Sequence, residues 1–144
     1  MSYLPNDMPV PQPTPDDAAY WEFCRDRELR IQRCGDCGRF RHPPMPLCPV
    51  CRSAKTDWTA VSGEGTVFSY TVAHHPTHQA LKGATPYNIA VVMLDDADDV
   101  RVVSNVIDAS PEEMRIGLPV SLVWESTSDG GHLARFRKRD GAAR

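Results

Sequence analysis

No stretch of this chain approaches the roughly 20 consecutive apolar residues that a membrane-spanning helix needs. Nor does it begin with a basic segment followed by an apolar one, so a soluble, cytoplasmic protein with no membrane association is the expectation. Charge of one sign is scarce as well. Charged residues make up 24% and the net charge is −3, which gives no blanket attraction for nucleic acid or for an anionic surface. The nucleophile motif Gly-x-Ser-x-Gly, the phosphate loop and the dinucleotide fingerprint are all missing. His74, His75 and His78 form the only histidine cluster, in the loop expected between two strands. Loop histidines beside Pro76 read better as solvated than as a second metal site. No catalytic residue is assigned, because nucleophile, base and orienting group do not occur together. At 144 residues there is room for one compact domain with an appendage, and the 41% hydrophobic content excludes wholesale disorder.

What the chain does have is Cys34-Gly-Asp-Cys37-Gly38 and, ten residues on, Cys48-Pro-Val-Cys51. Two Cys-x-x-Cys knuckles at this separation present four thiolates to one tetrahedral metal ion. In a reducing compartment thiolate coordination outcompetes disulfides. Zinc is the first choice and iron also suits four thiolates. With every position filled by protein, such a metal has no site for water or substrate, so its role is structural. The fifth cysteine, Cys24, falls on a helix face and reads as a small core residue.

In chain order, residues 1–14 form a proline-rich arm whose alternate prolines bar both helix and sheet. It reads as a disordered tail, or else as an arm laid across a partner. A helix follows, with Thr14 as N-cap, Pro15 at its first position and two aspartates in the first turn. Tyr20, Phe23, Cys24 and Arg27 share a face with Trp21 beside it, packed on the same domain or offered as interface anchors. From Leu29 the period changes to two, giving strands around the knuckles; helix and ribbon together span 15–58. Between Arg25 and Lys55 there are eight Lys/Arg and three Asp/Glu, a basic excess that four thiolates on a divalent ion would partly offset.

After a linking strand near Trp58, residues 59–139 read as a β-barrel. Gly63 and Gly65 mark a turn or bulge. Phe68, Tyr70 and Val72 alternate onto one face, and Tyr87–Leu94 is apolar enough for a strand covered on both sides. Asp95, Asp96, Asp98 and Asp99 lack the spacing of a calcium loop and read as a solvated hairpin tip. Ser110, Pro111, Glu113 and Gly117 predict a short capped helix. Strand-strand-strand-helix-strand-strand is the order of the OB-fold, a five-stranded Greek-key barrel. The fold class is therefore mainly β: a helix, a zinc ribbon, then the barrel with one short helix, and a tail at 140–144.

The run Leu29-Arg-Ile-Gln-Arg-Cys34 to Gly38, Pro43-Pro44, Pro46-Leu-Cys48-Pro-Val-Cys51, Val61 to Tyr70, Arg115 to Val120 and Arg135-Phe136 resembles one family in order. That family, once classed as a domain of unknown function, joins an N-terminal helix and a rubredoxin-like zinc ribbon to an OB-fold. The resemblance covers roughly Tyr20 to Arg137. It implies a scaffold or accessory subunit in hetero-oligomers with thiolase-like enzymes or thiolase-fold aldolases, including those of steroid side-chain degradation. In some of these the family supplies part of a CoA-binding surface. Strand alternation puts Arg135 and Arg137 on one side of the last strand, and they are the candidate ligands for CoA phosphates; Lys138 and Arg139 read equally as a solvated basic tail. The rival reading is a single-stranded nucleic-acid binder in which Phe68 and Tyr70 stack bases, although few cations line these strands.

Overall fold

Two antiparallel sheets and one helix make up the computed structural model, which describes residues 2–139. The tail expected at 140–144 lies outside the described residues. Helix α1 runs Ala18–Arg25, three residues later than Pro15, because Pro15 to Asp17 form a turn. Thr14 still organises that start. Its carbonyl accepts from Ala18 N at 2.9 Å, and the Asp17 carboxylate reaches back to Thr14 N at 2.6 Å, which holds the Asp17 pKa below the usual range. At the other end Arg27 takes a positive φ of 59°, and Glu28 N donates to Phe23 O at 2.9 Å, closing the last turn.

The helix packs its aromatic face on its own domain, with Trp21 and Phe23 left half-buried. Tyr20 and Cys24 are in the core, and Trp21 packs on it. Phe23 lies 5.7 Å from the Trp58 ring, with the Arg30 guanidinium on its face at 5.1 Å. Burial pushes the Cys24 thiol up to about 11, as befits a core residue.

The ribbon sheet has β1 (Arg30–Cys34) between β2 (Phe40–Arg41) and β3 (Thr56–Ala60). Its register sets Gln32 opposite Arg41 and Cys34 opposite Thr56. The strand expected as a linker near Trp58 is thus the third strand of the ribbon.

The second sheet has the order β6-β5-β4-β7-β8, with β4 Glu64–Ala73, β5 Tyr87–Leu94, β6 Arg101–Ser104, β7 Pro119–Ser126 and β8 His132–Lys138. A parallel bridge from Val106 to Phe136 curls its two ends together, the OB-fold arrangement. Val67, Ala90, Val92, Val106, Val120 and Phe136 fill the interior at 0% exposure. Gly63 and Gly65 permit the close approach of neighbouring strands. A Cβ on Gly63 would lie 2.4 Å from Leu122 Cβ, and one on Gly65 2.5 Å from the Met93 carbonyl oxygen. The bulge itself falls later, where Val67 pairs with Val92 but Ser69 pairs with Val91. The extra residue is Phe68. It flips the alternation, so Phe68 falls on the Val91 side of the sheet and Tyr70, still 37% exposed, on the Ala90 side, and the two rings do not share a face.

Three other expectations change. The helix predicted at Ser110 is a single turn: Glu113 N and Met114 N donate to Ser110 O, and the Glu113 carboxylate accepts from Ser110 N at 2.8 Å. Gly117 then donates to Val67 O at 2.8 Å, drawing the chain onto β4 before a second turn forms. The aspartate loop is a clasp rather than a free tip. Asp98 accepts from Phe40 N at 3.3 Å, Asp99 pairs with Arg39 at 3.6 Å, and Asp96 accepts from Ser62 N at 2.9 Å. β5 is covered on one side only: Asn88, Ala90, Val92 and Leu94 are buried, while Ile89, Val91 and Met93 remain half-exposed.

The proline-rich arm is tied to the barrel at Tyr3 rather than left as a loose tail. Tyr3 hydroxyl accepts from Asn88 N at 3.2 Å and from Asn88 Nδ2 at 3.1 Å, and Tyr3 N donates to Glu125 at 3.3 Å. The arm lies over the outer face of β7 and β8.

Candidate metal centre

Each knuckle is shaped by its own backbone. The N–H groups of Cys37 and Asp36 point at the Cys34 sulfur, which lowers its pKa to about 6. The N–H groups of Cys51 and Val50 lower that of Cys48 in the same way. In both knuckles the first sulfur thus receives two backbone N–H groups, which favour its charged form. Ser53 O receives Cys48 N at 2.9 Å, Ser53 Oγ and Lys55 Nζ bind the Asp36 carboxylate, and Lys55 O receives Gly35 N at 2.9 Å. These contacts tie one knuckle to the other.

The four sulfur atoms converge. Cys34 Sγ lies 3.5 Å from Cys51 Sγ, Cys37 Sγ lies 3.7 Å from Cys48 Sγ, and all four ligand atoms are within 4.8 Å of one another. Zinc–sulfur bonds of about 2.3 Å in a tetrahedron place sulfurs about 3.8 Å apart, so the donor set fits a four-thiolate ion. Cys34 and Cys48 are buried, Cys37 and Cys51 exposed. Among the described residues this is the only such grouping of His, Cys, Asp or Glu, and the histidines of the 74–78 loop do not converge. His78 instead accepts Ala80 N at 3.1 Å.

One residue beside the centre gave no signal in the sequence. Arg41 reads as an ordinary ribbon cation but is only 5% exposed. Its Nη2 donates to Met45 O at 3.1 Å and to Thr56 Oγ1 at 3.0 Å, while Nε and Nη1 meet no acceptor among the described residues. Thr56 is the strand partner of Cys34, so this guanidinium is anchored on the strand that flanks the first knuckle. A buried cation without a carboxylate needs a negative field, and four thiolates on a divalent ion carry a net −2.

At the far end of the barrel the candidate CoA ligands differ from each other. Arg135 is paired with Glu125 at 3.1 Å, both side chains 13% exposed, and also donates to Asn105. Arg137 is exposed and meets no carboxylate among the described residues. Lys138 pairs with Glu113 at 2.7 Å and Arg139 with Glu64 at 2.9 Å, so neither belongs to a loose basic tail. Arg135, Tyr3, Ile107 and Trp124 border an open groove of about 830 Å³. The Asn88 and Tyr3 hydrogen bonds that hold this end together were also invisible in sequence, since neither residue lies in a motif.

The helix-plus-ribbon segment, residues 21–57, matches the rubredoxin-like zinc ribbon domain of ChsH2, and residues 58–125 match the C-terminal OB-fold domain of ChsH2. A DUF35 domain-containing scaffold protein of Methanocaldococcus jannaschii is 32% identical over 77% of this chain and 78% of its own length. The chain belongs to the DUF35 family. A probable enoyl-CoA hydratase alpha subunit of Thermomonospora curvata is 42% identical over 90% of this DUF35 chain, and the 3-oxo-4,17-pregnadiene-20-carboxyl-CoA hydratase alpha subunit of Mycobacterium tuberculosis 38% over 83%. The chain spans only 39% and 37% of those two subunits. Among solved structures, Ltp2-ChsH2(DUF35) aldolase contains a chain that superposes with a TM-score of 0.81 and 40% identity, covering 90% of this protein and 98% of that chain. No helix among the described residues is long and apolar enough to cross a membrane.

Proposed function

We propose that this DUF35 protein is an accessory subunit, without catalytic chemistry of its own, that assembles with a thiolase-like acyl-CoA enzyme such as an aldolase. One observation carries the reading: the whole of a chain of matching extent, 98% of it, superposes from Ltp2-ChsH2(DUF35) aldolase. The relatives named as scaffold proteins and as hydratase subunits agree with it. In this reading Cys34, Cys37, Cys48 and Cys51 hold a structural zinc. With no open coordination position that ion fixes the ribbon and takes no part in a reaction.

An acyl-CoA contact on β8 belongs to the same proposal. Arg137 is exposed and without a carboxylate among the described residues, on the side that Arg135 shares, and the groove beside Arg135 has Trp124 and Ile107 as apolar walls. Phosphate binding falls to Arg137, while Arg135 positions the groove wall through Glu125 and Asn105. The single-stranded nucleic-acid reading loses its support, since the bulge separates Phe68 from Tyr70 and Arg101 already occupies the Phe68 ring at 3.9 Å.

The test is co-expression with the thiolase-like enzyme encoded nearest to this chain, followed by size-exclusion chromatography and acyl-CoA turnover. Co-elution and turnover that depends on this chain are expected. A fully active partner that never co-elutes, together with steeply salt-dependent binding of single-stranded oligonucleotides by this chain, overturns the proposal.

A further inference from the structure

The outward surface of β4, β5 and β6 is an apolar face that the described residues leave bare. Ile89, Val91 and Met93 on β5 are half-exposed, Val103 opposite Val91 is 69% exposed, and the bulged Phe68 is 44% exposed. The same strands place Ala90 and Val92 inside at 0% exposure, so the sequence supplies apolar residues on both sides of β5 but packs only one. Contiguous apolar patches of this kind on a soluble protein mark interaction sites. The outer face of β7 and β8, in contrast, is already covered by the Tyr3 arm. Into the bare face projects Arg101, its guanidinium 3.9 Å from the Phe68 ring centre and without a carboxylate among the described residues.

We propose that this face, centred on Phe68, Arg101 and Val103, is where the acyl-CoA enzyme docks. The inference rests on the accessory-subunit reading above and adds the surface. Three arguments select the occupant. A chain 40% identical to this one superposes from the Ltp2-ChsH2(DUF35) aldolase, which points to an enzyme of that class as the occupant. Single-stranded nucleic acid wants a track of cations and open rings, and here Arg101 is the cation stacked on Phe68, while the other exposed ring, Tyr70, lies across the bulge on the opposite side of β4. A second copy docked face to face would bring Arg101 against its mate, with no carboxylate among these residues to meet it. An enzyme surface that is apolar and carries an Asp or Glu opposite Arg101 satisfies the face. An aromatic with an arginine stacked on it is the composition typical of an energetic centre.

The experiment measures affinity between this chain and the thiolase-like enzyme encoded nearest to it, for wild type, Val103→Glu and Arg101→Glu. Both side chains are exposed, so unchanged zinc content and melting midpoint verify the fold of each variant. A loss of affinity of about 30-fold or more is expected for Val103→Glu, and a loss also for Arg101→Glu, partly restored by a lysine in place of the opposing carboxylate. If wild type binds and both variants bind within about twofold of it, this face is not the interface although the accessory reading stands. If wild type binds no such enzyme, that reading falls and the inference falls with it. If the chain is instead a dimer that Val103→Glu dissociates, the occupant is a second copy and the proposal is overturned.

Discussion

Between Arg30 and Ala60 three short strands enclose little more than Ile31 and two cysteine knuckles, and the buried residues there include Gln32 and Arg41. Between Glu64 and Lys138 five strands enclose Val67, Val92, Leu94, Val106, Leu118, Val120 and Phe136. The ribbon has too little apolar surface to be stable on burial alone, so its order depends on a metal. The barrel follows the opposite course: its interior needs no ion, and Gly63 and Gly65 let its strands close tightly. Leu29 and Ile31 belong to the same buried cluster as the barrel residues, so the two regions meet through the base of β1.

The largest effect expected comes from removing a thiolate. Cys48→Ser deletes one of four ligands to an ion whose binding is worth about 10–16 kcal/mol in small closed sites. Stoichiometric metal should be lost, and hydrogen exchange should accelerate through β1, β2 and β3 while β4, β5 and β7 stay protected. If protection is lost in both sheets together, the regions are one cooperative unit and the contrast between them is wrong.

Phe136→Ala is the converse. The ring is fully buried at the closure of the barrel, and truncation there should cost about 3–5 kcal/mol in denaturant unfolding. Zinc should remain bound below the transition, since no ligand is touched.

Arg41 sharpens the comparison through a change of sign. With metal bound, Arg41→Met removes the cation anchored beside the first knuckle, so zinc retention against a chelator should weaken. In metal-free protein the same substitution removes an unpaired buried charge and should stabilise, by about 1–3 kcal/mol in each direction. Loss of stability with and without metal would mean that Arg41 acts only through Met45 and Thr56.

The parts legible in sequence were those written in local chemistry. Two Cys-x-x-Cys pairs announce a closed metal site, because ligand type and spacing alone bring the sulfurs within reach. Alternation located most strands, whereas the helix begins at Ala18 with Asp17 at its N-cap, later than the Thr14 cap that the capping residues suggested. What stayed hidden depends on distant partners. The bulge at Phe68 has no sequence marker, yet it reverses which face Tyr70 occupies. Arg41 became exceptional only through β1–β2 pairing. The turn at Ser110 carries every helix-start signal, and Gly117 ends it by bonding to β4. Tyr3 docks on Asn88, 85 residues away.

The smallest expected effect lies where the two regions touch at the surface. The clasp joins Arg39 of the ribbon to Asp99 of the barrel loop at 3.6 Å, with side chains 49% and 66% exposed. Solvent screening keeps an exposed pair of this kind within about 0–1 kcal/mol, so Arg39→Ala alone should leave the unfolding midpoint almost unchanged. Asp98 is different, because it accepts from the Phe40 backbone N–H at 3.3 Å and holds a positive φ of 54°. Asp98→Ala should remove that acceptor and strain the loop, whereas Asp98→Asn keeps an acceptor and a residue tolerant of this conformation. Hydrogen exchange at Phe40 N–H reads the difference directly. It should speed up in Asp98→Ala, stay slower in Asp98→Asn and be unmoved in Arg39→Ala. Equal exchange in all three would show that the ribbon is held to the barrel only through Leu29 and Ile31, and that the acidic loop contributes nothing to the join.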